Sequence, residues 1–256
     1  MVLYEGKNWT FTSTTLGVAM AEFKNIRNRS FAGLLMVALL AVALTTPAVW
    51  GGAMGVTYNF VLWEMQLLAR KRVSHLRLSN RHNEVSPTIV MLALVAIVTL
   101  VALVAMIWIR YQPEGWALLI MLIGSTAFAD TGAYLVGNMC GKGPSSYKFV
   151  TATSPNKTDA GFYGGYVAGA VSVLLFSFVL LPQVGAELGC VQTIVLAVTL
   201  PYVAIMGDLL MSWVKRSIQV KDFGSSLGAH GGVLDRIDSH IAVVIVYMVI
   251  RILFEL

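Results

Sequence analysis

Of the 256 residues, 57% are apolar and only 12% are charged, against about 25% charged in an ordinary soluble domain. The charges are clustered and leave several apolar runs close to the roughly 20 residues that cross a bilayer, which excludes an ordinary soluble globule and predicts an all-α, polytopic membrane bundle. The formal net charge of +5 is largely the orientation signal of such a bundle, and nucleic acid is not an expected partner.

In chain order, the first thirty residues carry Lys7, Lys24, Arg27 and Arg29 but no early apolar core with a small-residue cleavage site, so no cleaved signal peptide is expected. Seven hydrophobic segments follow, near 31–49, 53–69, 87–109, 116–137, 161–181, 189–210 and 239–256. The second is short and carries Glu64. Thr46-Pro47 and Gly51-Gly52 are expected to break the chain after the first, and Pro182 after the fifth. Pro201 falls inside the sixth, where neighbouring helices can satisfy the freed carbonyl. Trp50, Trp63, Trp108 and Trp116 lie near segment ends, where an interfacial belt is expected.

Basic residues give the orientation. On one side fall the N-terminal four, then Arg70, Lys71, Arg72, Arg77 and Arg81, then Lys142, Lys148 and Lys157, then Lys215, Arg216, Lys221 and Arg236. The opposite side has Arg110 alone, and Arg251 lies within the last segment. The positive-inside rule then predicts a cytoplasmic N-terminus. The organisation expected is an N-terminal segment with three spans over 1–115 and a catalytic membrane region over 116–256. The two cysteines, Cys140 and Cys190, suggest neither a disulfide framework nor a zinc site. No inverted pair of broken helices of the transporter kind is present.

Two stretches on the basic side differ in composition from the rest. The first runs from Asp130 to Gly165 and contains Asp130-Thr-Gly-Ala-Tyr134, Gly141-Lys142, Ser154-Pro155-Asn156-Lys157-Thr158 and Gly164-Gly165. The second, from Gly207 to Ser239, interleaves four acidic and four basic residues with glycines. Asp208, Ser212 and Lys215 share a face if helical, as do Asp235 and Asp238. Gly224, Gly228, Gly231 and Gly232 would let backbone amides approach phosphate oxygens. Carboxylates bracketing lysines and a glycine loop suit a nucleoside triphosphate held with Mg²⁺, which takes one or two carboxylates plus substrate phosphates. Asp130 and Asp208 are functional candidates because carboxylates near a membrane are costly unless engaged. Asp159, Glu84 and Glu114 read as solvated loop residues.

The segment Ser212-x-x-Lys215-Arg216-x4-Lys221-Asp222-x-Gly224, followed by His230-Gly231-Gly232-x-x-Asp235-Arg236-x-Asp238, resembles the signature of the CDP-diacylglycerol synthases, or phosphatidate cytidylyltransferases. The Asp-x-x-Ala-Tyr, Gly-Lys and Ser-Pro-x-Lys-Thr elements of the first stretch are similar to that family too. The resemblance covers roughly residues 115–250. Two positions depart from it: Asp159-Ala160-Gly161 stands where the family often has Trp-Glu-Gly, and Gly228-Ala229 where it has Pro-Gly. The family's glutamate is therefore absent at Ala160.

The resemblance implies transfer of CMP from CTP to phosphatidic acid, giving CDP-diacylglycerol and pyrophosphate, in the cytoplasmic (inner) membrane with the site on its cytoplasmic side. It implies Asp208 and Asp235 as leading Mg²⁺ ligands, with Asp222 and Asp238 secondary and a second cation left open. Lys215, Arg216, Lys221 and Arg236 would hold triphosphate or headgroup. Ser154, Lys157, Ser212, Gly231 and Gly232 would join the substrate site, Asp130 would orient a cation, and His230 would move a proton or serve as a structural donor. The lipid bilayer is a necessary partner, and the resemblance allows a homodimer. A cytidylyltransferase or kinase acting on another membrane lipid is the alternative within enzymes. A cation-coupled transporter is the alternative outside them, and the gathering of charge at one membrane face stands against it.

Overall fold

Thr46 and Pro47 start the first helix of the structure, a computed structural model that describes residues 42, 44, 46–228 and 231–254. Thr46 Oγ1 accepts the Val49 N–H at 3.3 Å, and Pro47 occupies the first turn, where its missing N–H costs nothing. Helix α1 then runs Pro47–Leu78. Gly51-Gly52, expected as a break, lies inside it; with the start set by cap and proline, two glycines weaken the helix without ending it. The basic run Arg70–Arg77, expected as loop, forms the last turns of α1. Most of the predicted segment 31–49 lies outside the described residues.

A 3₁₀ turn, His82–Glu84, leads into α2, Val85–Arg110. Then come α3, Gly115–Cys140, the short α4, Lys148–Thr153, and α5, Asp159–Leu175, which continues through a π-helical turn, Phe176–Leu180, to Leu181–Gln183. Helix α6 is Cys190–Ser217, with Pro201 inside it, and α7 is Leu234–Leu253. The described residues are all helix and loop, with no strand. Among the described residues, four stretches, His82–Arg110, Gly115–Cys140, Asp159–Gln183 and Cys190–Ser217, are long and apolar enough to cross a membrane. They coincide with the third to sixth predicted segments, and the chain is an integral membrane protein. Side chains such as Ile97, Val101, Val104, Val171 and Leu175 face outward, as lipid contact requires.

Helices α3 and α5 are the most closely packed pair, and small residues make this possible. A Cβ added at Gly165 would lie 2.7 Å from the Ala129 carbonyl oxygen, and one at Gly161 would lie 2.8 Å from that of Ala133. In a membrane, where no hydrophobic gradient drives helices together, such stripes permit the close packing that holds them. Helix α6 packs on α5 and α7, and α1 packs on α2. Val61 and Met65 of α1, Leu92 and Val95 of α2, Met211 and Val214 of α6, Phe223, and Ile241 of α7 form one buried cluster. That cluster seats the α6–α7 loop against α1. Trp50 belongs to the interior and not to an interfacial belt: it is 1% exposed and its Nε1–H donates to the Met106 carbonyl at 3.1 Å, the partner a buried indole needs.

Candidate active site

The loop between α3 and α5 is a compact structure. Lys157 N–H donates to Ser154 O at 3.1 Å, and Ser145 N–H donates to Lys157 O at 2.8 Å. Thr158 caps α5 by accepting the Gly161 N–H at 3.0 Å. Asp159, expected to be solvated, accepts from the Ser145 and Ser146 hydroxyls and from the Ser146 N–H. It sits in the first turn of α5, where a carboxylate is favoured by the helix dipole. Anchored at both ends, the loop points the Lys157 ammonium at Asp208 of α6, 2.5 Å from Oδ2. Around this pair lies a cavity of about 290 Å³, lined among others by Asp130, Tyr134 and Asn138 of α3, Lys157, Thr158 and Asp208. Ser154 makes the turn rather than lining the cavity, its N–H donating to Val150 O at 2.7 Å.

The second cluster lies where α6 ends and α7 begins. Lys215 Nζ is 2.9 Å from Asp235 Oδ1 and 3.6 Å from Asp238 Oδ2, and all three side chains are 10% exposed or less. The same ammonium stands 5.4 Å from the centre of the Phe223 ring, a cation–π geometry. Asp235 Oδ2 accepts the Phe223 and Gly232 N–H groups at 2.9 and 3.0 Å. Asp238 Oδ1 accepts the Ser239 N–H at 2.8 Å. The expected sharing of faces by Asp208, Ser212 and Lys215, and by Asp235 and Asp238, follows from their places on α6 and α7.

The two clusters share one helix: Asp208 stands two turns before Lys215 on α6, and Arg236 is exposed on α7. Ser212 is half-buried on α6. Arg216 is exposed and donates to Val220 O at 3.0 Å. Lys221 and Asp222 are exposed in the loop. His230 lies outside the described residues.

Several amides of the glycine-rich loop are engaged within the protein. Gly231 N–H donates to Gly228 O, Leu227 N–H to Gly231 O, and Gly232 N–H to Asp235. Ser226 and Val233 N–H groups go to Glu64 of α1. Glu64 was legible only as a blemish in a short apolar segment. The general cost of an unengaged carboxylate there was the signal that could have marked it.

Among the described residues no three His, Cys, Asp or Glu side chains form a ready-made metal cage. Mg²⁺ does not require one, because substrate phosphates and water complete its shell. Asp130 and Asp208 present hard carboxylate oxygens to one cavity beside a lysine, and that donor chemistry fits Mg²⁺. The described residues make an all-helical membrane protein with a charged cavity lined by α3, α5 and α6.

The chain belongs to the cytidylyltransferase family, whose model matches residues 2–254. It is similar to the phosphatidate cytidylyltransferase of Helicobacter pylori strain J99, 38% identical over 129 residues, which is 50% of this chain and 45% of that protein. It is similar to the phosphatidate cytidylyltransferase of Brucella suis, 38% identical over 131 residues, covering 51% and 45%. It is also 37% identical over 127 residues to the Escherichia coli protein YnbB, covering 49% and 40%. The chain spans less than half the length of these curated relatives.

Proposed function

We propose that the protein is a phosphatidate cytidylyltransferase that makes CDP-diacylglycerol from CTP and phosphatidic acid. The observation that carries the reading is the joining of two signature stretches, far apart in sequence, by Lys157–Asp208 on one cavity. Membership of the cytidylyltransferase family and the names of the two relatives support it. A phosphate oxygen of phosphatidic acid forms a bond to the α-phosphorus of CTP, the bond from that phosphorus to the oxygen bridging to the β-phosphorus breaks, and pyrophosphate leaves. The nucleophile belongs to the substrate. The protein's part is therefore positioning and charge neutralisation.

Lys157 and Arg236 face the polyanionic substrates, and Lys215, held between Asp235 and Asp238, supplies a fixed positive charge. Mg²⁺ would be held by Asp208 with Asp130, and coordination by Asp235 would exchange its Lys215 contact. Bound there, Mg²⁺ supplies neutralisation of triphosphate charge. An apolar groove lined by Phe162, Tyr166, Val198, Tyr202 and Val246 shares Phe162 with the polar cavity, which suits a lipid whose headgroup enters the cavity while its chains stay in the bilayer. The distribution of Lys and Arg supports seven spans, a cytoplasmic N-terminus and a site on the cytoplasmic face of the inner membrane.

The test is pyrophosphate release by purified protein in detergent with CTP, Mg²⁺ and phosphatidic acid, with ATP as the nucleotide control. Release that needs both CTP and phosphatidic acid supports the reading. CTP binding without turnover points to another lipid acceptor, and absence of CTP binding by folded protein overturns it.

A further inference from the structure

Glu64 lies on α1, 3% exposed, outside the signature stretches and facing the α6–α7 loop. Its Oε1 accepts the Ser226 N–H at 3.2 Å and the Ser226 hydroxyl, and its Oε2 accepts the Val233 N–H at 2.9 Å. These donors are two backbone amides and a hydroxyl, all uncharged. Two glycines make room for the carboxylate. A Cβ at Gly224 would overlap Oε1, and one at Gly232 would lie 2.6 Å from Oε2. A buried carboxylate without such donors would be strongly destabilising, whereas charge-assisted bonds to amides hold their geometry firmly.

Glu64 thus clasps both ends of the glycine-rich loop, and Asp235 clasps the same loop from α7 through Phe223 and Gly232. Gly232 and Val233 are neighbours. Moving Val233 therefore moves the amide on Asp235 Oδ2, and with it the Oδ1 that holds Lys215 at 2.9 Å. A merely apolar contact with α1 would leave the loop free to slide; the paired oxygens fix it at two points.

We propose that Glu64 is a positioning residue of the active site, which from α1 holds the glycine-rich loop in the shape that aligns Asp235 and Lys215. The proposal rests on the cytidylyltransferase reading above for its kinetic part. The test compares wild type with Glu64→Gln, Gly224→Ala and Ser226→Ala in detergent, by amide hydrogen exchange over residues 223–234 and by steady-state pyrophosphate release. Glu64→Gln keeps one acceptor oxygen and loses the other. Its expected signature is exchange at Val233 faster by about tenfold or more, with kcat down on the order of tenfold and KM for CTP changed less than about threefold. Gly224→Ala keeps the negative charge but pushes the carboxylate aside, and the same direction in both readouts is expected.

Unchanged exchange and a kcat within about twofold of wild type in both folded variants overturn the proposal. So does a lowered Tm with undiminished kcat per folded molecule, which is a structural role alone. If Glu64→Gln and Gly224→Ala do not fold, Ser226→Ala decides: faster exchange with kcat down about threefold supports the clasp, and no change in either overturns it. A folded wild type that releases no pyrophosphate overturns the activity reading instead, and the clasp then stands or falls on loss of amide protection in Glu64→Gln.

Discussion

The Lys215 ammonium stands 2.9 Å from Asp235 Oδ1, with 10% and 6% of the two side chains exposed. Asp238 shares the same ammonium at 3.6 Å. A buried ion pair adds little net stability relative to an apolar pair, because desolvation offsets attraction, but removing one partner strands the other. Lys215→Met would strand two carboxylates. The expected loss is about 3–5 kcal/mol, read as a lowered Tm in detergent. The double variant Lys215→Met with Asp235→Asn should be less destabilised than the sum of the single ones, and full additivity would show that the pair is not coupled.

Lys157 and Asp208 form the opposite kind of pair. They are 2.5 Å apart but 33% and 29% exposed, so water screens them and their contribution to stability is about 0–1 kcal/mol. Both line the cavity, and on the proposed function their contribution is to catalysis rather than to stability. Lys157→Ala should leave Tm nearly unchanged while lowering kcat/KM for CTP by about ten- to a hundredfold. A large fall in Tm with kcat/KM preserved would make the lysine structural.

Glycines in two helices make contrasting predictions. At Gly165 an added Cβ would lie 2.7 Å from a backbone oxygen of α3 that cannot retreat, so Gly165→Ala should destabilise by roughly 1–3 kcal/mol and widen the α3–α5 contact beneath the cavity. At Gly51 nothing lies within 4 Å, and Gly51→Ala should stabilise α1 by about 0.5–1 kcal/mol. Thermal unfolding of both variants checks the pair. Equal effects would mean that the close approach of α3 and α5 does not hold the bundle.

The spans α2, α3, α5 and α6 were readable because each is a long apolar run, and hydrophobicity is additive along a chain. Gly51-Gly52 misled because a glycine's effect depends on what starts the helix, and Thr46 and Pro47 had already done so. The candidates Lys157, Asp208, Lys215, Asp235 and Asp238 were readable as residue types at motif spacing. That Lys157 would meet Asp208 was not, since the contact spans 51 residues and depends on the loop anchored by Asp159. Glu64 was least readable of all: its partners are two amides and a hydroxyl, 162 and 169 residues away, and an amide has no sequence signature.

Asp208 lines the cavity beside Asp130, holds Lys157 and stands two turns before Lys215 on α6. Replacing it by asparagine keeps the volume and a hydrogen-bonding oxygen for Lys157 but removes the charge that, on the proposed function, would attract a divalent cation. With one carboxylate fewer, the Mg²⁺ concentration at half-maximal pyrophosphate release should rise by about tenfold or more in Asp208→Asn, with kcat also reduced. Chelation of Mg²⁺ should abolish release by the wild type, and restored Mg²⁺ should return it. Glu84→Gln is the control, because Glu84 pairs with Arg81 on an exposed turn, with 44% and 43% of the side chains accessible, and its Mg²⁺ dependence should match wild type. An Asp208→Asn protein with an unaltered Mg²⁺ titration would remove Asp208 from the metal and leave it as the partner that aims Lys157.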